Sequence, residues 1–156
     1  MELSGIASPL ARDASVSQKD GIALARIAIA SAQTVLANSA MAKDTDSHLA
    51  LACAQRLLDG EDCKAELDNA LLKALCDARK SGPCQPLYRL IALALSGAIQ
   101  MRFGGPTIGV ATKAAEELEY GICRTAPALI RQYAGNEAPK LLAKMVQEAQ
   151  AFAASP

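Results

Sequence analysis

Cysteine has the widest range of possible chemistry in this sequence, because a thiol can bind a metal, form a disulfide or react as a nucleophile. Three of the five cysteines fall within residues 63–84, CKAELDNALLKALCDARKSGPC. Cys63 and Cys76 lie on one predicted helix, about 20 Å apart along its axis, and cannot share an ion. No pair shows the two-residue spacing typical of zinc sites. We therefore predict no metal site and buried, unreactive thiols, with a Cys76 and Cys84 redox pair as the alternative.

Histidine occurs once, at position 48. Helical di-iron sites and zincin proteases each need at least two histidines, so neither kind of site can form within this chain. A Ser–His or Cys–His nucleophile would have to use His48, which follows Ser47, the predicted N-cap of a helix. The helix dipole disfavours a charged imidazole there. We therefore predict a solvent-exposed histidine and assign no catalytic residue.

The segment MRFGGPTIG, residues 101–109, is the best candidate for a ligand site. Glycines before a helix N-terminus let backbone N–H groups approach an anion, and nearby arginines would add positive charge. The segment lacks the Lys and Ser or Thr of a P-loop, so a simple junction between two helices explains it equally well. The candidate ligand-binding residues are Tyr88, Arg89, Arg102, Gly104, Gly105 and Arg124.

The composition predicts an all-α fold. Of the 156 residues, 51% are hydrophobic, and 33 are alanine, the strongest helix former. A chain of this length forms one domain with a sufficient core. Gly5, Pro9 and the lack of a sustained period predict a loosely ordered tail over residues 1–14. Residues 15–156 are predicted to form one compact bundle of six to seven alanine-rich helices.

Glycine, proline and capping residues place the predicted helices. The first runs over about 17–41 and the fourth, the most apolar and therefore central, over about 86–103. The third helix is predicted over about 61–79, where Leu67, Leu71, Ala74 and Ala78 share one stripe that we predict faces the core. The other helices are predicted at 48–58, after Pro106, from Thr125 and at 137–153.

Charge and aromatic content bear on possible partners. Sixteen basic residues balance sixteen acidic ones, and aromatic residues are only 3% of the chain, so we expect no nucleic-acid partner. Residues 21–42 are apolar but contain Arg26, Gln33 and Asn38, which predicts a core helix rather than a membrane span. The first 20 residues lack the pattern of a secretory signal, so we expect a cytoplasmic location.

These observations favour a non-enzymatic helical interaction module: a binding, regulatory or immunity-like protein that meets another protein or a second copy of itself, without a cofactor. The hypothesis depends mainly on the missing catalytic and nucleotide-binding motifs. The alternative is a small helical-bundle enzyme or carrier that binds an anionic organic ligand between helices through Arg89, Arg102 and Arg124.

Overall fold

The structure is a bundle of α-helices in which α2 and α5 form the centre. The computed structural model describes residues 2–80, 82–104 and 108–154, with side chains described except over 108–112. These residues contain eight α-helices: α1 Leu3–Asp13, α2 Gln18–Ala37, α3 Thr45–Leu58, α4 Lys64–Arg79, α5 Gln85–Phe103, α6 Ile108–Tyr120, α7 Ala126–Ala134 and α8 Ala138–Ala154. A π-helical turn, Gly121–Thr125, joins α6 to α7, and a 3-10 turn, Gly135–Glu137, lies between α7 and α8, where Gly135 breaks the helix with a positive φ of 53°.

The predicted all-α, single-domain fold is confirmed for the described residues, which contain no strand. Helices α2 to α8 lie close to the seven predicted helices. The largest shift is at the end of α2, which stops at Ala37 instead of continuing to Met41. The Asn38 amide donates to the Thr34 carbonyl and the Ser39 hydroxyl to the Leu36 carbonyl. Such local side-chain bonds compete with further helical hydrogen bonds.

The N-terminal segment corrects the predicted loose tail over residues 1–14. Residues 3–13 form α1, and Leu3, Ile6, Ala7 and Leu10 are buried along one face of it. This spacing is that of an amphipathic helix, and burial of the stripe outweighs the weak helix preference of Gly5 and Pro9. The prediction was wrong because it weighed these two residues above the apolar spacing.

Helices α2 and α5 supply most of the largest fully buried side chains. On α2 these are Leu24, Ile27, Ile29 and Leu36, and on α5 they are Leu87, Leu90, Ile91 and Leu95. Alanines between them are also buried, which lets helix axes approach closely. Helix α2 is long and apolar enough to cross a membrane by length and composition. In this structure, 61% of its most apolar stretch is buried inside the bundle.

Polar side chains on α2 form hydrogen bonds with acceptor groups at the C-terminal ends of α3 and α5. The Arg26 guanidinium donates to the Asp59 carboxylate at 2.6 Å and to the Leu58 carbonyl at 3.1 Å. A cation at the C-terminus of α3 also complements its helix dipole. The Gln18 amide donates to the Arg102 carbonyl at 3.0 Å, at the end of α5. These side chains fix α2 to both α3 and α5.

Substitution of Gly97 tests the close packing of α5. A methyl group at this position would overlap the fully buried Leu118 side chain of α6. We expect Gly97→Ala to lower the free energy of unfolding by roughly 1 to 3 kcal/mol, because the core must shift to accept the methyl group. Gly5→Ala, on the exposed face of α1, should instead gain up to about 1 kcal/mol from helix propensity. If urea denaturation gives the same change in the free energy of unfolding for both variants, α5 and α6 are not packed this closely.

Helix α1 can be tested by Ile6→Ala. Ile6 is 7% exposed, so truncation leaves a cavity between α1 and the bundle. We expect the free energy of unfolding to fall by about 2 kcal/mol or more. Arg12→Ala, on the exposed face of the same helix, should change it by less than about 0.5 kcal/mol. If the urea concentration at the unfolding midpoint is the same for Ile6→Ala as for the wild type, α1 does not pack on the bundle as described.

Candidate functional site

The described residues form a concave groove between α3 and α4, which we call the α3–α4 groove. The two helices run antiparallel, as two ion pairs between them show. The Arg56 guanidinium lies 3.5 Å from the Glu66 carboxylate near the connecting turn, and the Lys73 ammonium pairs with the Asp46 carboxylate farther along. All four side chains are at least half exposed, so these pairs border the mouth of the groove and add little stability.

The floor of the α3–α4 groove is apolar. Ala50, Cys53, Ala74 and Ile91 are all buried, and Ile91 belongs to the central helix α5. The enclosed volume is about 650 Å³, within the range of ligand-binding clefts. The lining residues come from α3, its N-cap Asp44, α4 and α5: Asp44, Asp46, Ser47, Leu49, Ala50, Ala52, Cys53, Arg56, Glu66, Asn69, Ala70, Lys73, Ala74, Asp77, Tyr88 and Ile91.

Apolar surface also reaches the wall of the groove. Leu49 lines it and is 61% exposed, which is unusual for a large apolar side chain. Leu72 and Leu75 on α4 are exposed as well, at 63% and 44%, but neither lines the groove. A contiguous apolar patch with a polar border is typical of a surface that binds another molecule.

One end of the groove is acidic. The carboxylates of Asp44 and Asp77 act together on the Tyr88 phenol: burial raises its pKa, and these two negative charges raise it further. The hydrogen bond with Asp46 raises the pKa of the Lys73 ammonium, and the charges of Asp44 and Asp77 add to this effect. Three carboxylates therefore surround one lysine and one tyrosine at this end.

The cysteines separate into buried and accessible groups. Cys53 and Cys63 are buried and unoxidised, and each thiol lies against the other residue's carbonyl, at 3.7 and 3.4 Å. Burial raises the pKa of the Cys53 thiol from 9.0 to about 11, and its hydrogen bond with Cys63 adds to the shift. The prediction of buried thiols is wrong for Cys76, which is exposed because it faces away from the buried stripe of α4, and Cys84 and Cys123 are only partly buried.

His48 does not form a nucleophile pair with its neighbour. Its Nε2 atom lies 2.6 Å from the Ala42 carbonyl, and the Ser47 hydroxyl donates instead to the Asp44 carboxylate at 2.7 Å. His48 is half-buried rather than exposed, because α3 begins at Thr45 and the preceding turn folds against the ring. The side chain thus connects the α2–α3 turn to the start of α3.

The candidate anion site from the sequence is spread over the molecule. Tyr88 and Arg89 lie at the start of α5 and Arg102 at its end, about 20 Å away by helical rise. The Arg102 guanidinium lies over the Phe103 ring at 5.5 Å, and Gly104, with a positive φ of 65°, ends the helix. Gly105 lies outside the described residues. A small ligand therefore cannot contact both ends of α5.

The remaining arginines lie elsewhere. Arg89 is exposed, and Arg124 is exposed on the π-helical turn. Arg131, a further arginine, lines a second cavity of about 290 Å³, which Glu2 also lines. Of the five candidate ligand-binding residues that the structure describes, Tyr88 alone lines the α3–α4 groove.

Sequence reasoning missed most of the groove. Its acidic end combines Asp44, from the turn before α3, with Asp77, which is 33 positions later on α4. No short motif connects them. No sequence signal marks the groove, because its walls, floor and acidic end come from separate segments that only tertiary packing brings together.

Neither metal-site geometry nor similarity to known proteins assigns a function to the groove. Within the described ranges, no group of three or more His, Cys, Asp or Glu side chains is placed to hold a metal ion. Comparisons with models of protein families, with curated proteins and with solved structures find no match to this chain. The fold and the site thus define an all-α bundle with an apolar, partly acidic surface groove.

Thiol labelling tests the floor of the groove. At pH 8 a thiol with a pKa of about 11 is almost entirely protonated, and only the thiolate reacts rapidly with a disulfide reagent or a maleimide. We expect Cys76 to be labelled first in the folded protein, with Cys53 and Cys63 protected until denaturant is added. All five cysteines should then react. Rapid labelling of Cys53 in the folded state would contradict its described burial.

Proposed function

We propose that this protein is a non-enzymatic helical interaction module that binds a partner protein through the α3–α4 groove. The single observation that supports the proposal is the combination of an apolar floor with an exposed Leu49 in a cleft of about 650 Å³. Leaving this leucine in water has no benefit for the folded monomer, whereas a partner would gain from covering it.

The borders of the groove favour a specific partner over indiscriminate adhesion. Ion pairs flank the apolar floor at Arg56 with Glu66 and at Lys73 with Asp46. Protein interfaces commonly have this arrangement of an apolar centre and a polar rim, in which the rim selects partners and the centre supplies most of the affinity.

The groove favours a different protein over a second copy as its occupant. The other large exposed apolar side chains among the described residues are Val16, Leu72, Leu75, Phe103 and Tyr120. Leu72 and Leu75 share one face of α4, whereas Val16, Phe103 and Tyr120 lie on separate elements, so a second copy offers a stripe of only two such side chains, shorter than the groove. Phe103 is in addition covered by the cations of Lys64 and Arg102.

The alternative, an enzyme or carrier for an anionic organic ligand, would place three arginines around that ligand. The described positions of Arg89 and Arg102, at opposite ends of α5, give that proposal no support. The acidic end of the groove also opposes an anion electrostatically.

The interaction is tested with a matched pair of leucine substitutions. Leu49→Gln makes the groove wall polar without changing charge, and Leu72→Gln makes the same change at an equally exposed position outside the groove. We expect both variants to retain the free energy of unfolding of the wild type within about 0.5 kcal/mol. Leu49→Gln should weaken binding of a captured partner by about tenfold or more, and Leu72→Gln should not.

Capture from extracts of the source cells, followed by measurement of Kd for each recovered protein, provides the readout. A partner that binds both variants as well as the wild type does not use the groove. If sedimentation shows a concentration-dependent dimer that Leu49→Gln abolishes, the occupant is a second copy and the proposed heterologous partner is wrong.

A further inference from the structure

We infer that the occupant of the α3–α4 groove is an amphipathic helix of the partner whose apolar stripe lies on the groove floor and whose Lys or Arg enters between Asp44 and Asp77. This inference deepens the proposed function and depends on it. It is carried by the dimensions of the groove and by the uneven distribution of charge along it.

The dimensions fit the side chains of one helix face. The α3 wall extends from Asp46 to Arg56 and the α4 wall from Glu66 to Asp77, so the groove is about 15 Å long by helical rise. A groove of this length accepts the side chains of about three helical turns.

The charges along the groove determine at which end of the occupant a cation is favoured. At the end near the α3–α4 turn, Arg56 and Glu66 balance each other. At the other end, Asp44, Asp46 and Asp77 line the groove with a single ammonium, that of Lys73. The lining therefore has an excess of negative charge at one end only, and a cationic group placed there would be stabilised.

Asp77 is the strongest anchor for such a cation. Its side chain is 19% exposed, so most of it is already removed from water. It contacts the Lys80 ammonium at 3.2 Å, but Lys80 is 75% exposed and lies outside the groove lining. An exposed pair of this kind contributes little. A cation in the groove would give Asp77 a second, less exposed partner.

Tyr88 also lines this end of the groove and offers a polar contact. The phenol is half-buried, lines the groove, and lies within the electrostatic influence of both Asp44 and Asp77. A guanidinium or ammonium between the two carboxylates would therefore also be near an aromatic ring, whose face attracts cations. Arginine suits this position better than lysine, because its planar fork can bond two carboxylates at once.

A library of random 16-residue peptides, displayed and selected on the full chain, tests the inference. Peptides that bind the wild type are counter-selected on Leu49→Gln to retain only groove-dependent sequences. We expect these to show apolar residues at i, i+3 or i+4 and i+7, with Lys or Arg enriched at one end. The best sequence is then synthesised for Kd measurements.

The charge is tested with Asp77→Asn and its matched control Asp68→Asn, an acidic residue of α4 that pairs with Lys64 outside the groove. We expect Asp77→Asn to raise the Kd of the synthetic peptide about tenfold or more, and Asp68→Asn to change this Kd by less than about twofold. Replacing the peptide's cation with Gln should abolish the effect of Asp77→Asn. Asp44→Asn gives an independent test if Asp77→Asn melts at a lower temperature.

The outcomes distinguish the two proposals. If groove-dependent peptides show no enrichment of Lys or Arg, or if neither Asp77→Asn nor Asp44→Asn changes Kd, the inference is overturned while the proposed function stands. Groove-dependent peptides rich in proline and without helical spacing would overturn the helical occupant. If no peptide distinguishes the wild type from Leu49→Gln, both the inference and the proposed function are overturned.

Discussion

The packing of α2 against α5 is the interaction on which the rest of the structure depends. Both helices bury alanines along their contact faces, including Ala28 and Ala32 on α2 and Ala94 and Ala98 on α5. Small side chains let helix axes approach, so the leucines and isoleucines between them fill the remaining space. The other helices then pack onto this pair: α1 and α8 contact α2, whereas α3 and α4 contact α5.

The α3–α4 groove is a consequence of this arrangement. Helix α4 makes its most extensive contact with α5 and a smaller one with α3. It buries only Leu67, Ala74 and Ala78, all on the side facing the core. Two helices that each pack on a third, more than on one another, leave a cleft whose floor is the third helix. One wall of the groove is therefore a lightly buried helix, held to the opposite wall by exposed ion pairs.

The zero net charge of the chain conceals this local asymmetry. Equal numbers of basic and acidic residues exclude a field extending over the whole molecule, but they do not describe how the charges are placed. Many of the exposed pairs are local, such as Lys64 with Asp68 within α4. Asp44 and Asp77 instead line a common cleft, where the apolar floor and partial burial reduce the screening of their charges by water.

The sequence by itself determined the fold class and the approximate limits of seven helices, because alanine content, apolar periodicity and capping residues act locally along the chain. The same local reasoning identified the buried stripe of α4 and the central place of α5. It could also have identified α1, whose apolar spacing was present but was given less weight than Gly5 and Pro9. It could not decide which helix ends meet. Tertiary structure alone separated Arg102 from Arg89 by the length of α5, brought Cys53 beside Cys63, and placed Asp44 opposite Asp77 across a groove. The physical reason is that helix propensity depends on neighbours a few residues apart, whereas a binding site depends on how rigid helices pack, which distant apolar contacts determine.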